Sequence, residues 1–120
     1  MAKILLLSLE VSLAEDLYCK LTQLLHQVQL AVADQLSTDH IDADVIFLAG
    51  DGPHFRDSFN ALRSKRPDLP LVVVTRLPEV TVWLDALEAG AADYCAAPFE
   101  QQQIRWILEA TLRQRHSAAA

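Results

Sequence analysis

The sequence has 120 residues, which is the size of one compact domain. Its apolar fraction of 52% supports a packed core and excludes a disordered chain. The formal net charge is −6, from 10 basic and 16 acidic side chains, and the basic residues form no stripe, so this domain is not expected to bind nucleic acid.

The sequence contains no stretch typical of a membrane span or a secretory leader. No apolar run reaches the roughly 18–20 residues that a transmembrane helix needs. The first apolar run, Ile4–Leu7, is too short for a signal-peptide core. Cys19 and Cys95 are far apart and lack metal-ligand spacing, which is typical of reduced thiols. We therefore predict a cytoplasmic protein without a membrane segment, a metal or a cofactor.

Short apolar runs alternate with helical patterns along the whole chain. Three nearly uniform apolar runs and two weaker candidates predict five strands, at Ile4–Leu7, Gln29–Ala33, Val45–Leu48, Leu71–Val74 and Asp93–Cys95. Between them, apolar stripes predict helices that include Leu13–Leu25, Phe55–Leu62, Val80–Leu87 and Ile104–Leu112. A capping box at Ser12–Glu15 is expected to start the first of these helices.

The alternation of strands and helices predicts an α/β fold with one doubly wound, five-stranded parallel sheet. The segment from Asp34 to Asp44 is too short for a full crossover helix, so we expect a shortened second helix there. One domain spans residues 1–120. Residues 116–120 are either a helix tail or the stub of a linker, which leaves open an output domain beyond Ala120.

A ligand of such a sheet would bind beyond the carboxyl ends of its strands. The only acids expected there are Glu10 and Asp51, which is a poor donor set for Mg²⁺. The first loop, from Ser8 to Ser12, has no glycine to cradle a phosphate, and His54 is the one histidine near this edge. The chain is therefore not expected to be an enzyme.

Several segments resemble the receiver domains of two-component response regulators. The stretch Gly90–Phe99 is similar to the fifth-strand signature Gly-Ala-x-x-Tyr-x-x-Lys-Pro-Phe of that family. Arg66–Thr75 is similar to the fourth strand with its terminal threonine, and Asp44–Leu48, followed by Ala49 and Pro53, resembles the third strand and its loop. Lys3–Leu7, followed by Ser8, Leu9 and Glu10, resembles the first strand and its acidic cluster. The resemblance covers essentially the whole chain and implies a flavodoxin-like fold with strand order 2-1-3-4-5.

The residues of the family's phosphorylation pocket are mostly replaced in this sequence. The resemblance puts the phosphoacceptor aspartate on Ala49, the metal-binding acid pair on Ser8 and Leu9, and the invariant lysine on Ala97. Thr75 and Tyr94 match the two residues of the family's switch. The resemblance therefore implies a degenerate pocket, made of Ser8, Leu9, Glu10, Ala49, Thr75 and Ala97.

The resemblance also implies an output surface on the fourth helix, the fifth strand and the fifth helix. Trp106 lies two residues from the core position Ile104, about 200° around the helix, so it is expected to point outward. Exposed tryptophans are enriched in interfaces. The residues predicted to form an interface are Val82, Trp83, Tyr94, Trp106 and Ile107.

These observations predict a phosphorylation-independent, receiver-like signalling module of a bacterial phosphorelay pathway. It would act through a protein partner or a homodimer at the output surface. Two alternatives stay open. A displaced acid, Asp51 or Glu10, would still accept a phosphoryl group, or the emptied pocket would bind a small molecule.

Overall fold

The computed structural model of the protein describes residues 3–7, 9–24, 26–31, 42–50, 55–66, 68–75, 88, 90–96 and 99–119. Five strands lie in one parallel sheet of order β2-β1-β3-β4-β5, which confirms the predicted fold class. In chain order, the elements are β1 (Lys3–Leu7), α1 (Val11–Gln23), β2 (Gln27–Ala31), β3 (Val45–Ala49), α2 (Phe55–Lys65), β4 (Leu71–Thr75), β5 (Asp93–Ala96) and α3 (Gln101–Ala119).

The central strands β1, β3 and β4 are buried on both faces. Every residue from Ile4 to Leu7, from Val45 to Leu48 and from Leu71 to Thr75 is at most 4% exposed. Uniformly apolar strands need cover on both sides, because successive side chains point to opposite faces. The uninterrupted apolar runs in the sequence therefore correspond to the interior of this sheet.

Two apolar clusters cover the two faces of the sheet. On one face, helices α1 and α3 pack against alternate residues of the strands, through Leu13, Leu17, Leu21, Ile104 and Leu108. On the other face, α2 packs through Phe59 and Leu62. Neighbouring residues of one strand thus belong to different clusters, as Leu6 and Leu7 do.

The beginning of α1 differs from the prediction. The N-cap is Glu10, and its side chain makes no capping hydrogen bond. The Ser12 hydroxyl instead donates to Glu10 Oε1 at 3.4 Å. The predicted capping box at Ser12–Glu15 is therefore wrong, because the helix already includes Val11 and Ser12.

Strand β2 begins two residues earlier than predicted, at Gln27. The backbone N–H of His26 donates to the Leu21 carbonyl at 3.2 Å, so the chain turns directly from α1 into the strand. The shortened second helix, predicted between Asp34 and Asp44, falls mostly outside the described residues, and the range Val80–Leu87, predicted as a helix, lies entirely outside them. Residues 116–119 belong to the last helix, α3.

The turn before β5 depends on a glycine. Gly90 has φ 108°, a region that side chains with a Cβ rarely adopt. A Cβ at this position would lie 3.0 Å from Nε of Arg63, at the end of α2. The backbone N–H of Ala92 then donates to the Leu71 carbonyl at 2.8 Å, which starts the pairing of β5 with β4.

Two substitutions on α1 test whether this helix is held by its apolar face. Leu17 is 0% exposed and Val11 is 71% exposed. We expect Leu17→Ala to lower the free energy of unfolding by about 2–5 kcal/mol, because it leaves a cavity. Val11→Ala, the matched control, should change it by less than about 0.5 kcal/mol. Urea unfolding followed by circular dichroism measures both, and equal effects would contradict this packing.

Candidate functional site

The carboxyl ends of β3 and β4 bring two of the predicted pocket residues, Ala49 and Thr75, to one edge of the sheet. Ala49 ends β3 and lies opposite Val74 of β4, so it is diagonal to Thr75. Thr75 ends β4 and lies opposite Ala96 of β5. Ser8, Asp51 and Ala97 belong to the same predicted site but lie outside the described residues.

The described residues of this edge offer little ligand chemistry. Ala49 is half-buried and carries only a methyl group. Leu9 is half-buried and packs against the cluster formed by α1 and α3. Glu10 is exposed, and its carboxylate accepts the hydrogen bond from Ser12. Among the described residues, no group of three or more His, Cys, Asp or Glu side chains could hold a metal ion.

Thr75 and Gly50 make the edge between β3 and β4 compact. Thr75 is only 1% exposed, so its side chain is part of the packing. The Gly50 N–H donates to the Val74 carbonyl at 2.7 Å, and a Cβ on Gly50 would lie 2.7 Å from Cγ1 of Val73. Sequence reasoning missed this role of Gly50. A glycine directly after a buried strand was its only signal.

Tyr94 and Cys95 point to opposite faces of β5. Tyr94 is half-buried, packs against the cluster of the α2 face, and has a hydroxyl oxygen shielded from solvent. Its backbone N–H donates to Oδ1 of Asp93 at 2.7 Å. Cys95 is 0% exposed on the α1 and α3 face. Burial, with the carboxylates of Asp93 and Asp16, raises the pKa of the Cys95 thiol to about 12.

The predicted output surface is described only in part. Trp106 is 63% exposed while Ile104 is 0% exposed, as the helical spacing predicts. Ile107 is only 5% exposed and lies in the core cluster, so its assignment to an interface is wrong. A helix packed on a sheet buries a face wide enough to include the residue three positions after Ile104. Val82 and Trp83 lie outside the described residues.

A separate cleft, which sequence reasoning did not predict, opens between the end of α1 and α3. Its volume is about 370 Å³. Three leucines and four polar residues line it, namely Leu24, Leu108, Leu112, Gln23, His26, Arg105 and Glu109. Partial burial lowers the pKa of the His26 imidazole. The cleft shares no described residue with the carboxyl edge.

The topology and the layered core define a flavodoxin-like receiver fold. The chain is 32% identical over 117 residues to the two-component response regulator PhoP of Pseudomonas aeruginosa, across 92% of this chain and 52% of PhoP. It thus spans about half the length of that relative. No family model matches the sequence.

Solved structures show the same fold at low sequence identity. NtrX from Brucella abortus in complex with ADP has a TM-score of 0.89 and 20% identity, over 98% of this chain and 28% of NtrX. A response regulator receiver domain protein from Clostridium thermocellum has a TM-score of 0.85 and 17% identity, over 98% and 99% of the two chains. These likenesses show that the chain has a receiver-like fold.

The buried thiol of Cys95 gives the free energy of unfolding a pH dependence. Its pKa is raised from 9.0 to about 12 in the folded state, so between these values only the unfolded chain loses the proton. Stability should therefore fall as the pH rises above 9, by up to about 1.4 kcal/mol per pH unit.

Urea unfolding of the native chain and of Cys95→Ala, at pH 8, 9 and 10, measures this effect. The variant should be less stable at pH 8 because it leaves a cavity, and the difference should shrink at higher pH. A difference that stays constant across the series would contradict a raised pKa.

Proposed function

We propose that this chain is a receiver-like signalling module that works without phosphorylation and acts by binding another protein chain. The observation that carries this proposal is that β3 ends on Ala49, beside the buried Thr75. In the receiver family that this sequence resembles, the phosphoacceptor aspartate corresponds to Ala49. A methyl group cannot accept a phosphoryl group.

The neighbouring residues support the same conclusion. Phosphoryl transfer needs a metal ion to neutralise the charge that develops on the transferred group. Leu9, at one position of the family's acid pair, is an apolar side chain packed on the core. Thr75 is 1% exposed, so a phosphoryl group would have to displace packed atoms to reach it. The sequence also carries Ser8 and Ala97 where the family has an acid and a lysine.

Trp106 is the described residue that best supports a working interface. A tryptophan that is 63% exposed leaves a large apolar area in water, and its burial by a partner would be favourable. The proposed surface continues through Tyr94 and through Val82 and Trp83, which lie outside the described residues. The partner is another protein or a second copy of this chain. A following output domain and a cytoplasmic location are part of the same proposal.

Two alternatives make different predictions. Glu10 is exposed at the N-cap of α1, where a carboxylate would be reachable by a phosphodonor. Asp51, the other displaced acid, lies outside the described residues, as do parts of the pocket that a small molecule would occupy. We favour neither alternative. The described part of the edge has a single carboxylate, that of Glu10, and its threonine, Thr75, is buried.

Phosphorylation is tested by intact-mass spectrometry after incubation with acetyl phosphate and Mg²⁺. We expect no species that is heavier by one phosphoryl group. A phosphorylated species that disappears in Glu10→Gln or in Asp51→Asn would contradict the proposal and identify the displaced acceptor. A receiver with an intact acid pocket, treated in parallel, shows that the donor is active.

The interface is tested by light scattering over a range of concentrations and by partner binding. We expect Trp106→Arg to lower the affinity of self-association or of partner capture at least tenfold, because it removes an apolar contact and adds a charge. Asn60→Arg on α2, an exposed residue, is the matched control and should have no effect. Equal behaviour of the two variants would contradict a role of the Trp106 surface.

A further inference from the structure

The outer edge of β2 is separate from the Trp106 surface. β2 is the terminal strand of the sheet, and one edge of it pairs with β1 from Gln27 to Ala31. Among the described residues, no strand pairs with its other edge. Such an edge presents backbone N–H and carbonyl groups that a further strand can bind.

The described residues of β2 lack the sequence features by which proteins usually prevent pairing. Natural edge strands carry charged side chains, proline or a bulge. The β2 sequence is Gln-Val-Gln-Leu-Ala, without a charge or a proline. Leu30 is 58% exposed, although its neighbour across the sheet is Leu6 of β1. An uncharged edge with an exposed leucine favours association with another strand.

We propose that this edge pairs antiparallel with β2 of a second copy of the chain, about a two-fold axis at Gln29. The strand is complementary to itself in this register. Val28 then lies opposite Leu30 of the second copy, and the same pair repeats on the other side of the axis. Gln29 lies opposite Gln29 of the second copy, where two carboxamides can donate to and accept from each other.

The apolar pairs would lie on the same face as α1. Val28 and Leu30 pair with Ile4 and Leu6, whose side chains belong to the cluster under α1 and α3. The Val–Leu pairs would therefore extend the apolar layer of each copy across the junction. Cross-strand apolar pairs of this kind contribute to the stability of antiparallel sheets.

Helix α1 leaves room for a second copy. It packs over β1 and β2, and adjacent strands are about 4.8 Å apart, so pairing would place the two α1 helices about 10 Å from each other. Packed helices are separated by about 8–10 Å. The two helices would then contact each other instead of colliding or leaving a gap.

The flank of α1 nearest this edge is mostly uncharged. Gln23 accepts a hydrogen bond from Gln101, which turns one flank of α1 toward α3. Tyr18 lies five residues away, about 140° around the helix, and is 44% exposed. Val11 and Thr22 share its flank, and Glu15 lies at its rim. A second copy would bury the Tyr18 ring without burying an unpaired charge.

Disulfide trapping tests the two-fold register directly. All variants carry Cys19→Ser, which removes the exposed thiol, whereas the buried Cys95 stays in place. Directly opposed residues of antiparallel strands have Cα atoms about 4.5–5.5 Å apart, which is within disulfide range. Gln29→Cys should therefore form a covalent dimer in oxidising buffer. Gln27→Cys would be about 13 Å from its own copy and should cross-link at least tenfold more slowly.

Further variants separate this edge from the Trp106 surface. Leu30→Lys, added to Gln29→Cys, should lower the cross-linking rate at least tenfold by placing a charge on the edge. Trp106→Arg, added in the same way, should leave it unchanged. Circular dichroism confirms folding of each protein. Equal rates for the two cysteine positions, or no dimer with Gln29→Cys, would overturn the proposal, and the second result would leave this edge to an extended peptide of another protein.

Discussion

The burial of β1, β3 and β4 on both faces is the constraint on which the rest of the structure depends. Apart from Lys3 and Ala49 at the strand ends, every residue of these strands is at most 4% exposed, so alternate side chains need an apolar layer on each side. Helices α1 and α3 form one layer and α2 contributes to the other. Polar chemistry is thereby restricted to the strand ends, to the outer strands and to the outward faces of the helices.

The elements that are buried on both faces were the easiest to predict from the sequence. The central strands were predictable because burial on both faces leaves uninterrupted apolar runs. β2 was harder to predict, since two of its five residues are polar and its start depends on the hydrogen bond from the His26 N–H to the Leu21 carbonyl. The error at Ile107 has a similar origin. A single stripe through Ile104 and Leu108 underestimates the width of a helical face that packs on a sheet.

The sequence predicted where the candidate site lies in the fold, but not how its residues pack. Topology alone put Ala49 and Thr75 at one edge, because the carboxyl ends of parallel strands lie together. The burial of Thr75 and the tight approach of Gly50 to Val73 depend on the packing between strands, which residue spacing does not encode. The identities of the residues, in contrast, bear directly on chemistry, since an alanine cannot be phosphorylated in any conformation.

A receiver-like module that works without phosphorylation, as we propose for this chain, would have to be regulated by different means. A conformational equilibrium shifts only when something binds one state better than the other. Under the proposed function, association with a partner or with a second copy of the chain would supply such a difference. Mass action then makes chain or partner concentration the signal. Two separate surfaces, at Trp106 and at the edge of β2, would allow one chain to join a partner and its own copy at the same time.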